Sequence, residues 1–584
     1  MRIVRAAALA AMLLSSVATH AQYSREYFVA RAARTATPRQ LNDADRAFYS
    51  TLFAAIDARN WSTVQAMLAQ RGDGLLTPIA TAEFYTAANS PKVTSDQIIT
   101  WINKGSRLPE AAQLARLAVT RGATVTIGVP PEQPFYPRGS SPKRLRPRSV
   151  DDGTMPADVR QAILDRITND DPDSARALLD GVDAVLSPEA RAEWRQRVAW
   201  SYYIENRDPQ ALAIAQTAGV GSGPWVAEGD WAAGLAAWRM GDCATAGTYF
   251  ERSAAGTANA ELRSAGYYWA SRAALRCRHP ERSAGLLRSA AASDETLYGM
   301  LAAQQLGRKL PDLAASADFS EADWRRLKDS DNVHVAVALA EIGRDELASQ
   351  VLIHEAKIGD PRDFAPLSRL ARELGLPQTQ LYMAYNAPVG ASPDPASRYP
   401  APKWAPANGW QVDPALAFAH TLQESAFRGK AISPADARGL MQITPITVRE
   451  FAPRLGLSAS DVNIFDPATN LAFGQQNLKM LRDSAATQGE LPKIMAAYNA
   501  GLLPVTRWNT QVNDQGDPLL YMESIPYWET RGYVATVMRN YWMYERQAKA
   551  PSATRVALAE NAWPMFPGAS QDHSGRVYLS ADKN

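Results

Sequence analysis

Asp413-Pro414-Ala415-Leu416-Ala417-Phe418-Ala419-His420-Thr421-Leu422-Gln423-Glu424-Ser425-Ala426-Phe427 reads as one short α-helix. Asp413 is an N-cap residue, and Pro414 takes the first helical position, where its missing N–H costs nothing. Leu416, Ala419, Ala426 and Phe427 recur at helical spacing and can face a core. Glu424 falls near the C-terminal end, where the negative pole of the helix disfavours a further negative charge. In apolar surroundings both effects raise its pKa. A carboxylic acid held protonated near neutral pH suits a general acid that must protonate a leaving oxygen.

Outward from this helix the pattern stays helical. Ser433 to Pro445 begins as a turn, with Gly439 permitting a backbone shape or close approach that a side chain would block. Asp466-Pro467 caps a helix carrying Leu471, Gly474, Leu478 and Leu481 on one face. Pro492 opens another, which ends at Ala497-Tyr498-Asn499-Ala500-Gly501 with Gly501 as C-terminal cap. A last helix follows Pro526, with Val534, Val537, Met538 and Tyr541 on one stripe. The segment holds no Gly-rich phosphate loop and no metal-ligand cluster, so neither a metal nor an organic cofactor is expected.

Upstream, residues 157–387 are Ala-rich and helical. Ala246-Gly247 leading into Glu251-Arg252-Ser253-Ala254 resembles Ala284-Gly285 leading into Arg288-Ser289-Ala290-Ala291. The offset is close to the period of helix–turn–helix repeats that stack into solenoids, although the tetratricopeptide pattern is degenerate. Residues 22–128 form a further helical region. Between these two lies a Pro/Arg-rich stretch, 129–156, expected to be a long loop or solvated linker. Its Arg138, Lys143, Arg144, Arg146 and Arg148 could alternatively contact an anionic polymer or lipid surface. A second proline cluster, 388–409, reads as a junction before the domain at 410–547. Residues 548–584 lack periodicity and read as a weakly ordered tail.

A chain of 584 residues exceeds one ordinary core. With 46% hydrophobic and 21% charged residues and a formal charge of +2, the chain has no overall call for a polyanionic partner such as nucleic acid. The start, Met-Arg-Ile-Val-Arg followed by an apolar run from Ala6 to Leu14 and small residues ending at Ala21, has the form of a secretory signal peptide, 1–21. No later stretch reaches bilayer-spanning length, which points to a periplasmic protein without a transmembrane anchor. Cys243 and Cys277 permit a disulfide in that compartment, or remain two half-buried thiols.

Four segments then occur in order: Gln423-Glu424-Ser425, Gly439-Leu440-Met441-Gln442, Ala497-Tyr498-Asn499-Ala500-Gly501, and Glu523 to Val534. Together they resemble the signature motifs of the soluble lytic transglycosylases, whose catalytic domain is similar to goose-type lysozyme. Weaker likenesses upstream are Thr296 to Ala302 and Gly266-Tyr267-Tyr268-Trp269-Ala270. The resemblance implies an all-α protein: an Ala-rich superhelix, ring- or U-shaped with tetratricopeptide-like hairpins, followed by a lysozyme-like helical domain. It also implies cleavage of the β-1,4 bond between N-acetylmuramic acid and N-acetylglucosamine in peptidoglycan, with formation of 1,6-anhydro ends. By the same match Glu424 is the single acid/base, while Ser433, Met441, Gln442, Tyr498 and Glu529 are substrate-binding residues. Glu523 ranks behind Glu529 as an alternative carboxylate. Peptidoglycan strands are the implied partner, and cell-wall synthesis or hydrolysis proteins are candidates for docking on the helical domain. Two alternatives are a lysozyme-type hydrolase and a non-catalytic peptidoglycan-binding or protein scaffold. Asp436 stands where the family usually has Gly, Arg438 where it has a small residue, and Thr444 in place of a common Met.

Overall fold

The computed structural model describes residues 23–124, 128–311, 313, 318–571 and 577–579; the expected signal peptide lies outside them. The described chain is almost wholly helical, as expected. Its strands are two short antiparallel pairs, Tyr136–Pro137 with Asn386–Ala387 and Ala569–Gln571 with Val577–Leu579.

A repeated corner builds the superhelix. Asp170, Asn206, Gly241 and Arg278 all have positive φ and lie about 36 residues apart. After each one, the next residue's N–H reaches back to a carbonyl five positions earlier: Asp171 to Arg166, Arg207 to Tyr202, Asp242 to Ala237 and His279 to Ala274, at 2.8–3.0 Å. This left-handed cap satisfies the end of one helix and starts the next within two residues. The helices Trp225–Arg239, Cys243–Gly256 and Ala260–Arg276 consequently pack as successive antiparallel neighbours. Close approach needs small side chains. A Cβ on Gly266 would lie 2.6 Å from the Phe250 carbonyl oxygen. A disulfide joins Cys243 to Cys277, with Cα atoms 5.6 Å apart, across two of these helices.

Two apolar cores result. One gathers helices between residues 41 and 118 with those between 319 and 391. The other unites residues 163–313 with the C-terminal domain, so the superhelix and that domain share a continuous interior. At their junction Tyr203 Oη lies 2.7 Å from Ser524 Oγ, and the Arg531 guanidinium lies 4.0 Å from the Trp200 ring.

Three segments depart from expectation. The 129–156 stretch is an extended and largely exposed loop, yet it is anchored along its length: Arg144 is paired with Glu228 at 2.7 Å and lies over Trp231, and Arg146 lies over Trp225 and Trp528. Arg144 is consumed internally, which removes it from any anionic surface, whereas Arg146 stays exposed over its two rings. In the 388–409 junction, Tyr399 is fully buried and the Pro400 carbonyl accepts the Tyr544 hydroxyl at 2.7 Å. The tail is built as far as the second half of the 560s. Ala553–Ala559 forms a helix against Leu297–Gln305, Trp542 Nε1 donates to Thr554 Oγ1 at 2.9 Å, and Phe566 is buried. A seven-residue helix held by isolated anchors leaves no periodicity to read.

Residues 23–33 form a helix laid on the C-terminal domain. Phe28 packs edge-on against Phe418 and Tyr544, Arg25 donates to the Trp410 carbonyl and Arg31 to that of Ala401. Among the described residues no helix is long and apolar enough to cross a membrane.

Candidate active site

Asp413 opens the Pro414–Ser425 helix by accepting the Ala415 N–H at 2.9 Å. Its carboxylate also accepts from Ser24 and Tyr541, at 2.6 and 2.8 Å. At the other end the chain turns left-handed at Ala426 (φ 49°) and Phe427 (φ 63°), which swings Phe427 into the core. Glu424 is left half-buried on the last helical turn.

The Trp528–Gln547 helix packs against this one and brings the Tyr533 hydroxyl to Glu424 Oε1, to which it donates at 2.6 Å. One turn before Glu424, His420 is fully buried, and its Nδ1 lies 2.9 Å from the same hydroxyl. The His420 ring also lies against Tyr498, with centroids 4.6 Å apart. Burial pushes the Glu424 carboxyl up to about 7; the Tyr533 hydrogen bond opposes this and the nearby charge of Glu529 adds to it. Burial likewise holds His420 down to about 3, so its imidazole is neutral.

Asn470 organises the loop that faces Glu424's end of the helix. Its Oδ1 accepts the Met441 N–H at 2.8 Å, and its Nδ2 donates to the Arg438 and Ile464 carbonyls. Gly439 is required twice over: its φ is +74°, and a Cβ there would lie 2.2 Å from Asn470 Nδ2. Two departures from the expected pattern pair with each other. Asp436 occupies a left-handed position (φ 59°), where Gly would be the easy choice, and its carboxylate pairs with Arg438 at 2.8 Å. Thr444 serves as N-cap of the Pro445–Phe451 helix.

The expected substrate contacts divide. Ser433 and Gln442 are half-buried; Ser433 Oγ accepts the Ala437 N–H at 3.0 Å, and Gln442 Nε2 donates to the Gly439 carbonyl at 2.8 Å. Glu529 is exposed in the first turn of its helix. Tyr498 donates to the Met441 carbonyl at 2.8 Å, and the hydroxyl on Glu424 is that of Tyr533. Met441 needs correction as a substrate-binding side chain. It is fully buried, and a Cβ on Gly474 would fall 2.0 Å from its sulfur. Its carbonyl, by anchoring Tyr498, is the part that serves the site. Glu523 is buried against the superhelix, where it accepts the Tyr298 hydroxyl at 2.7 Å.

His420, Tyr533 and Asn470 escaped the sequence reading. The four-residue spacing of His420 and Glu424 was an available signal, since it sets both on one helix face. Tyr533 lay inside a motif already quoted, with nothing local to mark its partner.

Residues 404–520 match the family model described as the transglycosylase SLT domain. Over those residues the chain is similar to the soluble lytic transglycosylases. It is similar to the soluble lytic murein transglycosylase of Escherichia coli (strain K12), with 32% identity over 155 residues, 26% of this chain and 24% of that protein. The Salmonella typhimurium protein of the same description is 33% identical over 132 residues, 22% of this chain and 20% of that one. A Haemophilus influenzae chain placed in the same group is 29% identical over 271 residues, 44% of this chain and 43% of its own length. The alignments thus span less than half of these relatives. Among solved structures, the 70-kDa soluble lytic transglycosylase in complex with bulgecin A superposes with a TM-score of 0.58 at 19% identity, covering 90% of this chain and 99% of that one. The 70-kDa enzyme from Escherichia coli gives a TM-score of 0.51 at 18% identity over the same shares. At such identity the likeness speaks for the fold alone: a helical superhelix carrying a lysozyme-like domain.

Proposed function

We propose that this protein is an exported murein lytic transglycosylase, cutting the β-1,4 bond between N-acetylmuramic acid and N-acetylglucosamine and leaving 1,6-anhydro-N-acetylmuramic acid ends. The observation that carries the reading is Glu424: a half-buried carboxyl on a helix end, hydrogen-bonded to Tyr533 and poised at about 7. A group so poised can give a proton and take one back at neutral pH. In the first step Glu424 protonates the glycosidic oxygen as the C1–O4 bond breaks, and the substrate's acetamido oxygen stabilises C1. In the second, the ionised Glu424 removes the proton of the muramyl C6 hydroxyl while that oxygen bonds to C1. The proton returns to the carboxyl, and no water is consumed.

A single acid/base suffices because the sugar supplies its own stabilising group. Ser433, Gln442, Tyr498 and Glu529 are assigned to the sugar-facing side. Glu529 also acts through its charge, which adds to the burial that keeps Glu424 protonated. The Cys243–Cys277 disulfide suits a periplasmic location. Digestion of sacculi in ¹⁸O-labelled water tests the reaction type. Products without label are expected, whereas one ¹⁸O per cut would make the enzyme a lysozyme-type hydrolase.

A further inference from the structure

The Tyr533 hydroxyl has one proton and two close neighbours, Glu424 Oε1 at 2.6 Å and His420 Nδ1 at 2.9 Å. We propose that His420 is a positioning residue: by donating Nδ1–H to Tyr533, it fixes which Glu424 oxygen carries the catalytic proton. The inference rests on the reading of Glu424 as acid/base and extends it to a residue that touches neither substrate nor Glu424.

Two arrangements of protons are available. With the proton on Nδ1, Tyr533 accepts from His420 and must direct its own proton to Oε1. Oε1 is then an acceptor in both states of the acid, and the proton of neutral Glu424 sits on Oε2, the oxygen away from Tyr533. With Nδ1 bare, Tyr533 donates to His420 and turns a lone pair toward Oε1. That arrangement tolerates a neutral Glu424 protonated on Oε1, but it sets two unshared pairs against each other once the carboxyl ionises. Ionisation follows the first chemical step, so only the Nδ1–H tautomer serves both halves of the cycle.

The surroundings hold His420 to this task. It is fully buried, pressed against Tyr498, and shares the helix face of Glu424, so its donor is fixed before substrate arrives. Its Nε2 is buried with no hydrogen-bond partner among the described residues. The titratable groups turned toward Glu424 are Tyr533 and Glu529 from the Trp528–Gln547 helix and Tyr498 from Leu491–Ala500, whose hydroxyl also neighbours Asn477. Depression of His420 to about 3 by burial keeps it from becoming a rival acid.

The test uses the full chain with His420→Leu, His420→Asn and Glu424→Gln, followed by turnover of sacculi against pH. His420→Leu should lower kcat by roughly 10- to 100-fold, with KM changed less than about two-fold, because a hydrogen bond that supports the acid rather than substrate binding is lost. Its basic limb should move to higher pH, since the carboxylate loses a firm donor. Asn offers an amide N–H near the Nδ1 position, and His420→Asn should recover most of kcat and the original limb. A wild-type profile in His420→Leu, or equal impairment of both variants, overturns the proposal. If His420→Leu fails to fold, ¹⁵N spectra of the histidines in the native protein decide instead. Nδ1 protonated with Nε2 bare is expected, and the proton on Nε2 overturns the assignment. An active Glu424→Gln would instead remove the acid/base reading itself.

Discussion

Replacing Glu424 by Gln should abolish turnover yet stabilise the fold, by an amount that grows with pH. The native carboxyl is pushed up to about 7, against an ordinary value of 4.5. The folded state therefore binds this proton more tightly than the unfolded chain does, and native stability falls as pH rises from about 4.5 through about 7 and then levels. Each pKa unit corresponds to about 1.4 kcal/mol, giving a ceiling of about 3 kcal/mol, and the partial solvent access of Glu424 reduces the expectation to about 2 kcal/mol. Gln keeps an acceptor for Tyr533 and never ionises. Urea unfolding of both proteins, followed by tryptophan fluorescence at pH values from about 4 to about 9, measures the difference. The two should share one pH dependence below about pH 4.5 and diverge to about 2 kcal/mol in favour of the variant above about pH 8. Parallel curves across the whole range would refute the buried, proton-retaining acid.

Further outcomes are expected. Gly474→Ala places a methyl against the Met441 sulfur and should displace the 439–442 loop, cutting turnover while leaving the superhelix folded by circular dichroism. Cys243→Ser opens a 34-residue separation; the chain-entropy relation puts the loss at about 4 kcal/mol, visible as a lowered urea midpoint that reductant reproduces in the wild type. Phe28→Ala empties the contact with Phe418 and Tyr544 at a cost of about 3–5 kcal/mol, and limited proteolysis should then cut the 23–33 helix first.

Features governed by local chemistry were legible in the sequence. Asp413-Pro414, Asp466-Pro467, Pro492 and Gly501 mark helix ends through their own side chains or backbone freedom, and the structure caps helices at Asp413, Asp466 and Gly501 and sets Pro492 in the first turn of another. The repeat was only faintly visible because its left-handed corner is filled by Asp170, Asn206, Gly241 and Arg278, four residue types serving one backbone shape. Long-range pairs left no trace. Tyr533 meets Glu424 across 109 residues, and Arg144 meets Glu228 across 84, so the basic proline-rich stretch gave no sign of the point at which it is anchored. Met441 was drawn into the substrate set by its motif, whereas its fit against Gly474 depends on how two helices and a loop come together.

The most direct measurement is the mass of muropeptides released from purified sacculi by the wild-type protein and by Glu424→Gln side by side. Anhydro ends, lighter than reducing ends by one water, should appear with the wild type and vanish with the variant. Reducing ends from the wild type, or anhydro products persisting in the variant, would contradict a lytic transglycosylase driven by Glu424.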